Sequence, residues 1–420
     1  MFQSLLNAWK LPDLRKKLLF TALVIAIYRL GCFIPVPGVN MASAQEFFGS
    51  GGVFDFYDLF TGGALQTMAI FAMGIMPYIT ASIIMQLLTM VSPKLEALMK
   101  EGPTGQKKVN QYTRYFTAGL ALVEAIGFVF LFRNYGAFPL DAAGNSTFTP
   151  MNVWLVVMTL TVGAITVMWL GELITQRGIG NGISLMIFAS IVSRLPSGLQ
   201  KLFTYSPGIW VAMAIIAVLV VAGVIYMTQG QRRIPVQYAK RVVGRKVYGG
   251  QSTYLPLRIN MAGVIPVIFA SSILLFPVTI AEMTPWSWAK TFAGWVGPNT
   301  WWYLVAEVIL IILFTYFYTA VQFNPIDQAD NLKKYGGFVP GIRPGRPTAA
   351  YLDRVLTRIT LVGALFLAAV VLLPTGIIKG LGVDFYFGGT SLLIVVGVAL
   401  DTMQQMESQL LMRHYEGFLK

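Results

Sequence analysis

Apolar residues run along this chain in long blocks, separated by short stretches where charge, glycine and proline collect. Blocks of about 17 to 25 residues, long enough to cross a hydrocarbon layer as helix, fall at roughly 18–34, 67–90, 112–132, 152–170, 179–195, 208–227, 258–280, 301–322, 355–374 and 385–406. The pattern predicts an all-α membrane protein with ten transmembrane helices. Two polar intervals between blocks are long, at about 228–257 and 323–354. In the first, RRIPVQYAKRVVGRKVYGGQ (232–251) alternates Ile234, Val236 and Tyr238 with other residues around Gly244, which predicts a projecting hairpin instead of another helix.

Two stretches recur. GIMPYITAS at 74–82 returns as GVIPVIFAS at 263–271, a distance of 189 positions (263 − 74 = 189), and GISLMI at 182–187 returns as GTSLLI at 389–394. Each pair lies five crossings apart, and an odd offset inverts one copy relative to the other. The reading is two five-helix halves of inverted topology, 1–195 and 196–420, which usually meet around a pathway near the bilayer midplane. Small residues are also common in membrane helices because they permit close packing, and that explanation stays open for each match alone. Pro77 and Pro266 sit inside the first repeat, where a lost helix hydrogen bond is expected to weaken spans two and seven.

The repeats place Ile75, Ile79, Ile183, Ile187, Ile268 and Ile394 at related positions. Ile75 and Ile79 are four apart, as are Ile183 and Ile187, so each pair shares a helix face. A collar of isoleucine seals a narrow pore by dewetting and offers no charge with which to select an ion, which suits a variable cargo. Ordinary packing isoleucines are the simpler alternative.

Composition agrees with the blocks. The 420 residues are 56% hydrophobic and 12% charged, with mean hydropathy +0.66, more apolar than a soluble domain requires. The net charge of +13 is unevenly placed. Lys10, Arg15, Lys16 and Lys17 precede the first span; Lys94, Lys100, Lys107 and Lys108 occupy the second loop; Arg232, Arg233, Lys240, Arg241, Arg245 and Lys246 the sixth; Lys333, Lys334, Arg343, Arg346 and Arg354 the eighth. Residues 35–66 contain no Lys or Arg, and the other odd-numbered loops hold only Arg133, Arg194, Lys201, Lys290 and Lys379. Both termini are therefore expected in the cytoplasm, and anionic inner-leaflet lipid accounts for the charge better than nucleic acid does. The first span is expected to be an anchor, not a cleaved leader.

Catalytic chemistry has little to work with. The one cysteine, Cys32, forms no intramolecular disulfide, and the one histidine, His414, builds no metal cluster. GPTGQKK at 102–108 departs from the phosphate-loop pattern and follows no strand. Arg29, Glu124, Glu307 and Asp401 fall inside spans, scattered, with Glu124 and Glu307 expected to pair with Arg in the bundle. No paired aspartates mark an intramembrane protease.

Between the first two spans, GGVFDFYDLFTGGALQTM (51–68) is apolar and glycine-rich, carries Asp55 and Asp58, and is too short to cross. A short helix over 54–60, ended by Gly62 and Gly63, is expected to fold back into the outer vestibule as a stopper or as an interfacial segment.

Several strings together carry a resemblance: GGALQTMAIFAMGIMPYITASIIMQLL, WLGELITQRGIGNGIS, GQRRIPVQYAKR, QSTYLPLRINMAGVIPVIFASS, FNPIDQADNLKKYGGFVPGIRP and FYFGGTSLLIVV. The chain resembles the SecY family of protein-conducting channels, of the bacterial type, over all ten spans and both large loops. The family likeness implies a non-enzymatic subunit without cofactors, working with SecE and SecG, the motor ATPase SecA, the ribosome and a translocating polypeptide in the bacterial cytoplasmic membrane. It implies that the six isoleucines form the pore ring. It implies a plug at roughly 54–66, made of Phe54, Phe56, Tyr57, Leu59, Phe60, Thr61, Gly62, Gly63, Ala64 and Leu65. It implies a lateral gate between spans two and three on one side and seven and eight on the other, with Gln86 and Asn260 at polar gate positions beside Pro77, Pro266 and Ser271. The basic residues of the sixth and eighth loops become docking sites for motor or ribosome, and Arg343 in GIRPG matches an arginine that works with the motor. The competing class is a secondary transporter of a small solute, which also uses inverted repeats.

From this resemblance, charge reversal at Arg343 is expected to abolish motor-driven transport into membrane vesicles while leaving the fold intact; unimpaired transport refutes the role.

Overall fold

Proline opens helix after helix in this chain. In the computed structural model α1 (Pro12–Gly31), α2 (Val53–Thr61), α3 (Met76–Val91), α4 (Pro93–Lys100), α5 (Pro103–Asn134), α6 (Pro150–Arg177) and α7 (Gly182–Leu202) are followed by α8 (Pro207–Gln229). Strands β1 (Gln231–Tyr238), β2 (Arg241–Val243), β3 (Lys246–Tyr248) and β4 (Ser252–Arg258) come next. Then follow α9 (Ile265–Met283), α10 (Ser287–Val296), α11 (Trp301–Gln322), α12 (Pro325–Lys334), β5 (Gly337–Phe338), α13 (Arg346–Leu381) and α14 (Gly389–Phe418). The structure describes residues 9, 11–39, 53–134, 138, 148–238, 241–243, 246–248, 252–284, 286–297, 300–381 and 389–418.

Helices α1, α3, α4, α6, α8, α9 and α12 each carry proline in the first turn, where its fixed φ suits the helix and its missing N–H has no partner to lose. Pro77 and Pro266 belong to this set, so the expected weakening of spans two and seven at those prolines is corrected: both start helices. Pro196 lies inside α7, Pro277 inside α9 and Pro374 inside α13.

Spans two and seven accordingly begin as helix later than hydropathy implied. Residues 62–75 form turns, with Met68 and Gly74 at φ 45 and 55 and an isolated bridge pairing Pro35 with Ala69. Hydropathy measures burial and not backbone shape, and this turn segment is as buried as a helix. The first repeat marks the same local geometry twice. Gly74 (φ 55) and Gly263 (φ 64) reverse the chain, Ile75 and Val264 cap at φ −93 with ψ 0 and −8, and the helix follows with proline in its first turn. The second repeat does likewise. Gly182 and Gly389 are each the first residue of a helix, and a Cβ there would lie 1.9 Å from the carbonyl of Gly171 and 2.0 Å from that of Val370, on the preceding helix in each case.

Helices α1, α3, α5, α6, α7, α8, α9, α11, α13 and α14 are the ten spans. Seven of them (α5, α6, α7, α8, α9, α11 and α13) suffice by length and apolar composition alone, while α3 turns through 97° into α4. α1 opens with Asp13, Arg15, Lys16 and Lys17, and α14 runs on into Gln404, Gln405 and Glu407. Burial ranks the spans: 67% of the apolar window of α9 is enclosed by protein against 11% for α8, whose exposed Val211, Ile215, Val218 and Leu219 form a lipid face. α9 packs on α2, α3 and α5 as well as on α11, and α14 packs on α7, so one continuous core joins the two sets of helices.

The hairpin forms as expected. β1 and β4 pair antiparallel from Gln231 opposite Arg258 to Gln237 opposite Ser252, with Ile234 and Val236 buried; Gly244 lies outside the described residues. β2 and β3 pair as a separate ribbon, and β5 adds to the far edge of β1. Tracing the chain through alternate crossings puts this sheet, α4 and α12 at one end of the molecule and α2 and α10 at the other.

Gly182→Ala or Gly389→Ala is expected to cost about 1 to 3 kcal/mol because a carbonyl blocks the added methyl, whereas Gly119→Ala, with open space around it, is expected to stay within about 0.5 kcal/mol or improve α5. Thermal unfolding of the three variants in detergent checks this.

Candidate functional site

Isoleucines from three helices meet at the middle of the molecule. Ile79 of α3, Ile183 and Ile187 of α7 and Ile268 of α9 line a cavity of about 120 Å³. Its polar wall consists of Tyr78, Ser82, Gln86, Asn181, Ser184 and Tyr318. Ile75 and Ile394 lie in the same apolar cluster, 3% and 0% exposed, without lining the cavity. Ile75 stands next to Ile183: a Cβ on Gly171 of α6 would be 3.5 Å from both. Such a volume holds a few waters, whereas an extended chain crossing about 30 Å of hydrocarbon needs about nine residues in the passage. The cavity is too small to hold an extended chain.

Against α7 and α9 lies the short helix α2, followed by a turn. Its terminating residues are Gly62 and Gly63, at φ 69 and 94, a left-handed backbone that other residues rarely adopt. Phe54, Tyr57, Leu59, Phe60 and Thr61 are buried, as are Gly62, Ala64 and Leu65 beyond the helix; Gly63 is half-buried and Phe56 belongs to the same helix. The helix packs on α7 and α9, with Tyr57 edge-on to Phe128 of α5 at 5.7 Å between centroids. Thr61 reaches the pore level, since a Cβ on Gly74, next to Ile75, would sit 3.0 Å from its methyl. Polar pins fix the end of the segment. The Tyr57 hydroxyl donates to the Met73 carbonyl (3.1 Å), that of Tyr28 to the Thr61 carbonyl (3.3 Å), and the Arg29 guanidinium to the Gly62 carbonyl (2.8 Å). The Asp58 carboxylate pairs with Arg194 of α7 and accepts from the Thr61 hydroxyl (3.0 Å) and the amides of Leu65 (3.0 Å) and Gln66 (3.1 Å).

The candidate gate residues separate into groups. Gln86 lines the cavity and donates to the Ser82 hydroxyl at 3.3 Å. Asn260 is buried just before α9, donates to the Gly263 carbonyl at 3.1 Å, and leaves its Oδ1 without a partner. Ser271 faces back onto its own helix, bonded to the Val267 and Ile268 carbonyls. α9 lies directly against α3 and α5. The expected pairing of Glu124 and Glu307 with arginine is corrected: among the described residues neither forms an ion pair, and Glu124 Oε2 and Glu307 Oε1 are buried without hydrogen bonds. Arg114 pairs instead with Glu172 at 2.7 Å and Arg194 with Asp58.

At the opposite end the two basic loops form one body. Ile234 of β1, Leu257 of β4, Phe323, Val339, and Leu352 and Leu356 of α13 share a small core, and β5 pairs Phe338 with Gln237. Arg232 and Arg233 on β1, Lys333 and Lys334 at the end of α12, Arg343 and Arg346 are exposed around it. Arg241 and Lys246 lie in the β2–β3 ribbon, and Lys240 and Arg245 outside the described residues. Arg343 projects from a turn between Gly341 (φ 82) and Gly345 (φ 100), its carbonyl accepting from Thr348 at 2.8 Å. Sequence reading treated these loops separately because a two-residue strand such as β5 leaves no periodicity to find. It also counted Arg194 as a loop charge, although the apolar face of α7 continues past it.

A helical membrane protein with an isoleucine-lined cavity between its helices fits a channel, and the comparisons specify the kind. A sequence model of the SecY family matches residues 69–403. The chain belongs to the SecY family. It is 49% identical to the protein translocase subunit SecY of Streptomyces galbus over 100% of both chains, and 49% identical to that of Corynebacterium glutamicum over 99% of this chain and 100% of the relative. In fold it is similar to a solved protein-conducting channel (TM-score 0.64, 22% identity, 94% of this chain and 92% of that one) and to Sec61 of a canine ribosome-channel complex (TM-score 0.61, 21% identity, again 94% and 92%). The small-solute transporter reading is set aside by this membership.

Replacing Ile187 and Ile268 together with Ser is expected to hydrate the cavity and raise resting ion leak in proteoliposomes at least roughly threefold, since polar linings abolish dewetting; an unchanged leak means that these side chains do not seal.

Proposed function

We propose that this chain is the pore-forming subunit of a bacterial protein translocase, which passes unfolded secretory polypeptides across the cytoplasmic membrane and releases apolar segments sideways into lipid. One observation carries the reading: isoleucines of α3, α7 and α9 converge on one cavity, and the buried helix α2 packs on α7 and α9, two of the helices that line it. The ring acts as a gasket around an extended chain, and α2 with residues 62–66 is the plug. Matching backbone geometry at both repeats supports two inverted halves, 1–195 and 196–420. The lateral gate lies where α9 meets α3 and α5, with Gln86 and Asn260 supplying polar groups along it. Both termini and the β-sheet face the cytoplasm, in keeping with the lysine and arginine distribution.

Sorting then needs no catalytic residue. A segment of about 20 residues gains roughly 0.3 to 0.6 kcal/mol per Leu, Ile, Phe or Val by leaving into the bilayer, whereas one central Asp, Lys or Arg costs about 2.5 to 3.5 kcal/mol. The chain is a channel, not an enzyme, and energy comes from its partners: the SecA motor or the ribosome docked on the basic sheet and the Arg343 turn, with SecE and SecG completing the complex and anionic lipid meeting the basic loops.

With Cys32 replaced, a cysteine at Ile79 or Ile187 is expected to form disulfides with a cysteine in a secretory chain stalled halfway, in membrane vesicles. Lipid-facing controls at Val218 or Ile309 are expected to form none. Absence of cross-links despite confirmed stalling places the pathway elsewhere.

A further inference from the structure

Asp58 is a charge in an unusual place. It is 1% exposed, within the apolar helix VFDFYDLFT, while its partner Arg194 keeps 22% of its side chain exposed. A buried carboxylate persists only when its charge and its lone pairs are matched. Here the labour is divided between its two oxygens. Oδ1 accepts from the Thr61 hydroxyl and the amides of Leu65 and Gln66, which folds the turn after the helix; Oδ2 meets the guanidinium of Arg194, 136 positions away on α7. The same Arg194 nitrogen donates to the Gln66 side chain at 3.0 Å. Gly62 and Gly63 are shaped to this arrangement. A Cβ on Gly62 would stand 2.6 Å from an Arg29 nitrogen, and one on Gly63 would lie 3.5 Å from Arg194 Nη2. Two guanidinium groups, from α1 and α7, thus grip the end of the segment.

We infer that Arg194 and Asp58 form a charge latch that holds the plug shut and sets how strong an incoming signal segment must be to open the channel. This rests on the channel reading above. On the α9 side α2 is held by packing, whereas on the α7 side an ion pair fixes it. Moving the plug outward therefore separates Asp58 from Arg194. The resistance is greatest while the site is dry: Coulomb attraction falls about fourfold between an effective dielectric of about 20 and that of water at about 80. Once an arriving chain admits water the pair dissolves, and the plug has no comparable hold until the site dries again. A latch of this kind opens sharply, because the first step weakens the force that opposes the rest.

The test uses the assembled complex in proteoliposomes, measuring resting ion leak and transport of a substrate with a crippled signal segment. Arg194→Gln strands a buried carboxylate and is expected to raise both by about tenfold or more. Asp58→Asn keeps an oxygen for the amides of Leu65 and Gln66 and is expected to raise both less. The double variant is expected to behave like Asp58→Asn, since the stranded charge is gone. A disulfide supplies the control for plug release. A Cβ on Gly62, at φ +69, would lie 3.1 Å from that of Ser190 but 2.9 Å from the Ser190 Cα, so Gly62→Cys with Ser190→Cys, Cys32 being replaced, bridges plug to α7 once the backbone at 62 shifts. Oxidation is expected to reseal the Arg194→Gln channel and reduction to reopen it. Leak and signal requirement equal to wild type in Arg194→Gln, or a leak that persists under the disulfide, overturns the latch. Failure of the Ile187→Cys channel, with Arg194 and Asp58 intact, to cross-link a stalled chain instead overturns the channel reading itself.

Discussion

Inside hydrocarbon a backbone amide or carbonyl without a partner is too costly to keep, so non-helical chain survives at that depth only where protein surrounds it. Residues 62–75 are such a chain, and much of the molecule is arranged around them. Val36 donates to Met68 (2.9 Å) and Ile70 to Ile34 (2.9 Å), Ala69 to Ala64 (2.8 Å), while Gly163 of α6 admits the Ile70 carbonyl so closely that a Cβ would stand 1.9 Å from it. α1, α6, α7 and α9 form the wall that makes this possible. A channel needs a removable seal, and a helix spanning the full bilayer is not removable; a short helix on a turn is, provided its polar groups are met by neighbours when it is seated.

The two halves share backbone geometry without sharing surroundings. Gly74 is crowded by Thr61, whereas a side chain at Gly263 would meet nothing within 4 Å. The difference is the plug, which one half carries and the other lacks among the described residues. Inverted repetition therefore provides matching walls, and the asymmetry that makes a closed state is added to one of them.

Much of this was legible beforehand. Hydropathy located ten spans because a bilayer imposes a length, and the alternation at Ile234 and Val236 announced a hairpin because one face of it is buried. Gly62 and Gly63 marked the end of α2 through a backbone conformation few other residues adopt. The errors have physical causes too. Pro77 and Pro266 were read as breaks, since hydropathy does not separate a helix from a buried turn that precedes one. Glu124 and Glu307 were assigned arginine partners that sequence cannot place, because pairing depends on which helices touch. The Asp58–Arg194 pair joins positions 136 apart, and no local pattern connects them.

The sheet has a mechanical consequence. Its base is stapled where Ile259 donates to the Gly230 carbonyl at 2.9 Å, and it abuts α13 at Gly363, where a Cβ would lie 2.6 Å from the Ile259 carbonyl. Six residues later α9 begins, past the uncrowded, left-handed Gly263. Torque applied to the sheet would pass through Ile259 to Gly263, and the arm beyond that glycine is α9, the helix that packs on α2, α3 and α5 together.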